Sequence, residues 1–105
     1  MEAVAMIIVL GTIEVDVADR QRYLEEKVPQ VESTLGEPGC LDYCFAADGR
    51  DPSGVRLVER WASMADLEAH VARLRAAPAP DDLPVPSRMV AIDLFEAEPA
   101  QAPWA

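Results

Sequence analysis

The first apolar run, Met6-Ile-Ile-Val-Leu10, continues through Gly11-Thr-Ile-Glu-Val15. Its β-branched residues, with no polar alternation over the first half, predict a strand buried on both faces. Asp16 or Asp19 can cap the next segment, in which Leu24, Val28, Val31 and Leu35 recur at helical spacing while Arg20, Arg22, Glu25, Glu26 and Glu32 take the other side. This is an amphipathic helix with a candidate kink at Pro29. Gly36-Glu-Pro-Gly39 supplies its stop and a tight turn. Cys40 to Ala46 then alternates, with Leu41, Tyr43 and Phe45 on one face and Asp42 and Cys44 on the other. After the turn-rich stretch Asp48 to Gly54, Val55 to Trp61 completes a hairpin. Ser63 with Asp66 three residues on starts a second helix that runs to about Ala77 and places Leu67, His70, Val71 and Leu74 on one face. Pro78, Pro80, Pro84 and Pro86 exclude helix and sheet interior alike, and Arg88 to Glu96 resumes strand character through Met89, Val90, Ile92, Leu94 and Phe95.

The order is βαββαβ, which predicts an α+β, ferredoxin-like domain: a four-stranded antiparallel sheet with two helices on one face. Residues 1–96 form the single expected domain and 97–105 a Pro/Ala tail. The first and last strands read as apolar on both sides, and two helices can cover only one face of the sheet. A second copy of the chain, packed sheet against sheet, is the expected cover, so a homodimer is the expected partner.

Composition narrows the field. A chain of 105 residues, half of them apolar, supports one core. A net charge of −10 without any basic stripe repels phosphate backbones, so no nucleic-acid partner is expected. No apolar run approaches the roughly 20 residues that span a bilayer, and Glu2 stands where a signal peptide carries Lys or Arg; no membrane partner and a cytoplasmic location are expected. Cys40 and Cys44, four apart on a strand, have Cα atoms roughly 13 Å apart, too far for a disulfide or a shared metal. They are expected to be small buried thiols.

Candidate chemistry sits on one face. Leu57, Glu59 and Trp61 point one way along the second hairpin strand and Arg56, Val58 and Arg60 the other. If the first set looks toward the helices, Glu59 and Trp61 meet His70, with Tyr43 or Phe45 across the hairpin. A carboxyl and an imidazole in an apolar pocket are groups whose proton affinities burial perturbs, and such a base can take a proton from a phenol. The plainer reading makes His70 and Trp61 packing residues and Glu59 half of a structural ion pair; on this constellation alone that reading stands first. There is no Gly-rich phosphate loop, no zinc-spaced His/Cys set and no Ser/His/Asp arrangement, so no metal or nucleotide cofactor is expected.

Gly36-Glu-Pro-Gly-Cys-Leu-Asp-Tyr43, Val58-Glu-Arg-Trp61 and Asp66-Leu-Glu-Ala-His70 together resemble the antibiotic biosynthesis monooxygenase family over about Met6 to Leu74. The resemblance implies a dimeric ferredoxin-like α+β barrel. It also implies kinship with cofactor-free enzymes that insert oxygen from O₂ into anthrones or quinols, with haem-degrading enzymes, and with members of no established activity. In the cofactor-free members a deprotonated phenol is itself the reductant, and the protein supplies a dry pocket and a proton acceptor. Trp61 and His70 match pocket positions and Glu59 matches a frequent acidic residue. Haem-degrading relatives carry Asn where this chain has Gly11, which argues against haem. The segment after His70 is shorter than is usual in the family, which reduces the pocket's cover. The expected activity is cofactor-independent oxygenation of a small aromatic phenol, quinol or anthrone. His70 and Glu59 are the expected proton acceptors, and Trp61, Tyr43, Phe45 and Leu67 the expected substrate contacts. The alternative is a non-catalytic dimeric module that binds a small ligand or supports another enzyme.

Overall fold

A computed structural model describes residues 5–104. Residues 1–4, at the start of the expected domain, and Ala105, at the end of the expected tail, lie outside them. The elements are β1 (Met6–Glu14), a 3-10 turn (Val17–Asp19), α1 (Arg20–Leu35), β2 (Cys40–Ala47), β3 (Gly54–Trp61), α2 (Met64–Ala76) and β4 (Arg88–Ala97). The strands form one antiparallel sheet in the order β2-β3-β1-β4, the ferredoxin-like βαββαβ arrangement.

Register sorts the side chains. Facing the helices, one row runs Tyr43, Glu59, Val9, Leu94 across the four strands, the next Phe45, Leu57, Gly11, Ile92. The opposite face carries Asp42, Arg60, Ile8 and Phe95 in one row and Cys44, Val58, Leu10 and Asp93 in the next. The core lies between the first face and the helices: Ile7, Val9, Ile13, Val55, Leu57 and Trp61 are buried there with Tyr23 of α1 and Leu67 of α2.

Five expectations need correction. Strand β1 is buried on one face only within the chain, since Leu10 on the other is 43% exposed. In β2 the register slips between Cys40 and Asp42. Leu41 is the extra residue of that bulge and is exposed, so Cys40 takes the core-facing place beside Tyr43 and Phe45. The thiols are accordingly not both buried: Cys40 is half-buried and Cys44, on the uncovered face, is exposed. On α1, Val28 and Leu35 are exposed while Tyr23 and Thr34 are buried, a rotation of the inner face by about one residue. Neither Asp16 nor Asp19 makes a side-chain cap; Asp19 instead pairs with Arg22 at 3.3 Å.

The turn after α1 and the start of α2 are built as one unit. Gly39 has φ +78°, in the left-handed region, and a Cβ there would collide with the Asp66 carboxyl. Asp66 in turn takes the Ser63 hydroxyl at 2.8 Å and gives its own amide to Ser63 Oγ at 3.1 Å, capping α2. Further on, the proline-rich connection is docked rather than free at its end: Val85 is buried, and its amide donates to Glu26 Oε1 on α1 at 3.1 Å.

Candidate active site

Helix α2 presents His70 inward because Leu67, His70 and Val71 fall on one helical face, and β3 presents Glu59 and Trp61 from below by strand alternation. The expected neighbours therefore meet. His70 is 2% exposed, its ring 4.8 Å from that of Trp61 and 5.3 Å, edge-on, from that of Tyr43. Trp61 Nε1 donates to Glu59 Oε1 at 2.9 Å, and the same carboxylate oxygen lies 4.0 Å from His70 Nε2.

The other imidazole nitrogen is held by a residue that sequence reasoning treated only as part of a turn. Glu37 places its two oxygens 3.2 and 3.1 Å from His70 Nδ1, and Arg73, one turn along α2, donates to Glu37 Oε1 at 2.6 Å. A carboxylate accepting at Nδ1 requires a proton there, so in the tautomer this contact selects Nε2 is the acceptor, on the side of the ring toward Glu59. Burial alone would raise the Glu37 carboxyl, but hydrogen bonds from Arg73 and His70 outweigh it and hold the group below its ordinary value. The stabilisation from that arrangement is present above the ordinary carboxylate value and is lost as pH falls through the lowered one.

Glu59 behaves oppositely. Burial raises its carboxyl above the ordinary 4.5, and the Trp61 hydrogen bond and His70 only partly offset this. A folded-state value above the unfolded one means that protonated Glu59 favours the fold and the charged form opposes it. That contribution is complete below pH 4.5 and is lost as pH rises through the raised value. Glu59→Gln keeps an acceptor for Trp61 and removes the charge, so its stability relative to the wild type should improve steadily as urea denaturation is moved from acid to neutral pH. A difference that does not change with pH would contradict the assignment.

Above these groups lies a cavity of about 480 Å³ between the helices and the sheet, within the size range of small-molecule sites. Of the expected site residues, Glu59, His70, Tyr43, Phe45 and Leu67 line it. Trp61 does not: it is 0% exposed and lies behind His70, holding Glu59 rather than meeting the cavity. Burial pushes the Tyr43 phenol up to about 12, and Gln30 Nε2 donates to its oxygen at 2.7 Å, so Tyr43 stays protonated and has its own O–H to offer. Gly11 faces the helix side of the sheet, and a Cβ there would press on Leu57 Cβ at 3.2 Å. Of the two imidazole nitrogens, Nδ1 is taken by Glu37, and Nε2 lies 4.0 Å from Glu59 Oε1.

Sequence reasoning missed Glu37, Arg73, Tyr23, Lys27 and Gln30. The signal for the last three was present: Tyr23, Lys27, Gln30 and Thr34 follow the i, i+4, i+7, i+11 spacing of one helical face. No helix among the described residues is long and apolar enough to cross a membrane.

Comparison with known proteins agrees with this architecture. A solved protein of Bacteroides thetaiotaomicron, described as a conserved protein of unknown function and possible oxidoreductase, superposes with a TM-score of 0.68 at 19% identity, over 90% of this chain and 100% of that one. Candidate antibiotic biosynthesis monooxygenases from Deinococcus radiodurans (TM-score 0.65, 19% identity, 91% and 96% of the two chains) and Chloroflexus aurantiacus (0.64, 20%, 92% and 97%) share the fold. No curated protein sequence gives a significant match. The family model for antibiotic biosynthesis monooxygenases matches residues 6–76, from β1 to the end of α2, and the chain belongs to that family.

Proposed function

We propose that this chain is a cofactor-independent monooxygenase that oxidises a small phenol, quinol or anthrone with O₂ in the cavity between the helices and the sheet. The observation that carries the reading is His70, with Nδ1 fixed by Glu37 and Nε2 turned to a largely apolar cavity. Nε2 takes the acidic proton of the substrate, and the imidazolium so formed lies between the Glu37 and Glu59 carboxyls. The substrate anion is the reductant and supplies all four electrons that O₂ accepts: one oxygen atom is inserted and the other leaves as water with the two hydrogens the substrate loses, as when an anthrone CH₂ becomes C=O or a phenol or quinol becomes a quinone carrying one oxygen more. Tyr43 O–H is available to hydrogen-bond a substrate carbonyl. Oxygen consumption over a panel of quinols and anthrones, in chelator-treated buffer, tests the reading; no uptake with any of them would sink it.

A second reading, a non-catalytic binder of the same kind of ligand, is favoured by one observation. The β4 side of the cavity is formed by Met89, Ile92 and Leu94, which are 46%, 57% and 48% exposed, so the single chain leaves the cavity open to water there. Binding of an aromatic ligand without oxygen uptake would select it.

We propose that a second copy of the chain covers the uncovered sheet face. Leu10, Phe95, Val58 and Ile8 make it half apolar, and Arg56, Arg60, Asp42 and Asp93 distribute both charges over it, so that like faces can pair across a two-fold axis with opposite charges meeting. Sedimentation should give twice the chain mass, shifting to the monomer when Leu10 is replaced by Asp; a monomeric wild type would contradict the assignment.

A further inference from the structure

Lys27 is the only lysine in the chain. It lies on the cavity side of α1 and lines the cavity, with Nζ 5.1 Å from the centre of the Tyr23 ring and 5.8 Å from that of Phe45. Among the described residues no carboxylate comes within 4.0 Å of Nζ. The adjacent Glu26 is engaged with the Val85 amide, and Asp93, which meets the cavity's edge, belongs by strand alternation with Leu10 on the other face of the sheet. Gln30, one turn further on the same side of α1, spends one amide N–H on Tyr43 and keeps a second. An ammonium whose near neighbours are ring faces and apolar wall keeps its three N–H donors for a ligand. With a net charge of −10 the chain as a whole repels anions, so a local cation decides whether an anionic ligand can enter.

We propose that Lys27 makes the cavity selective for an aromatic ligand that carries an anionic group, a carboxylate in the simplest case, placed at the end of the molecule away from His70. The Tyr43 and Phe45 rings, 5.6 Å apart, line the wall between the two polar groups, Tyr43 beside His70 and Phe45 beside Lys27, so the anionic group and the position deprotonated at His70 lie at opposite ends of this pair of rings. This rests on the reading of the cavity as a substrate site and adds the class of substrate.

The test is calorimetric titration of the full chain, at neutral pH and low salt, with a hydroxynaphthoic acid and the matching hydroxynaphthamide. The acid is expected to bind about tenfold more tightly than the amide, a preference lost in Lys27→Met and kept in Lys27→Arg. Because the chain has one lysine, protein labelled with carbon-13 at the lysine ε position should show a single side-chain signal that moves with the acid and stays still with the amide. Equal affinities in the wild type, no binding of either compound, or a preference that survives in Lys27→Met would overturn the proposal. Acid preference without any oxygen uptake would leave this inference standing and remove the oxygenase reading; oxygen uptake with no acid preference would do the reverse.

Discussion

Replacing His70 by glutamine should lower oxygen consumption by at least about a hundredfold, the low end of what a positioned proton acceptor contributes. Glutamine is the informative replacement because it fills much of the same volume and offers a polar amide but no basic nitrogen to the cavity. Alanine would confound the result: His70 is 2% exposed and packs on Trp61 and Tyr43, so its removal opens a hole and leaves the Glu37 and Glu59 carboxyls facing it. Rates measured on folded His70→Gln, at the same substrate concentrations as the wild type, separate chemistry from stability. A variant that retains wild-type turnover would show that His70 is a packing residue, the plainer reading of a histidine among leucines.

Trp61→Ala should be the most destabilising single substitution on β3, by about 3–5 kcal/mol, against a total of about 5–15 kcal/mol for a domain of this kind. The side chain is 0% exposed, so the whole ring volume becomes a cavity. Its indole N–H is also the donor to Glu59, so the substitution strands a carboxyl that burial already disfavours. Trp61→Phe fills most of the volume and isolates the second effect, and should cost distinctly less. Urea denaturation monitored by circular dichroism checks both; a loss below about 1 kcal/mol for Trp61→Ala would contradict this account of the core.

The strands and helices were legible because their patterns were set by burial on one side. Alternation along Leu57, Glu59 and Trp61 placed a carboxyl among apolar residues, and the spacing of Leu67, His70 and Val71 aimed the imidazole at it. The reading of α1 went astray for a physical reason. Its inner face lies partly over a cavity rather than over packed core, and a cavity wall accommodates Tyr23, Lys27 and Gln30, whose polar tips hide them from a hydrophobic pattern. Of the apolar stripe, Leu24 and Val31 pack against the core, whereas Val28 and Leu35 are exposed. Leu41 was misplaced because a bulge changes which residues face the core and leaves no mark in alternation.

Glu37 was invisible for a different reason. It lies in Gly36-Glu-Pro-Gly39, a sequence fully explained as a helix stop, and only the close approach of that turn to α2, fixed by Gly39 against Asp66, brings its carboxylate to His70 Nδ1. The contact spans 33 residues of sequence, and local spacing carries no information about it. The site is thus divided between β3, α2 and a turn, and the residue that sets the histidine's tautomer is the one least marked by pattern.

The central claim is that the bound substrate itself reduces O₂ and receives one of its oxygen atoms. It is tested most directly by running the reaction under isotopically labelled O₂, with purified protein and chelator, and weighing the product. The account predicts a single labelled oxygen atom in the product, formed by the wild type and not by His70→Gln. Product without label, or labelled product formed equally fast by both proteins, would contradict it.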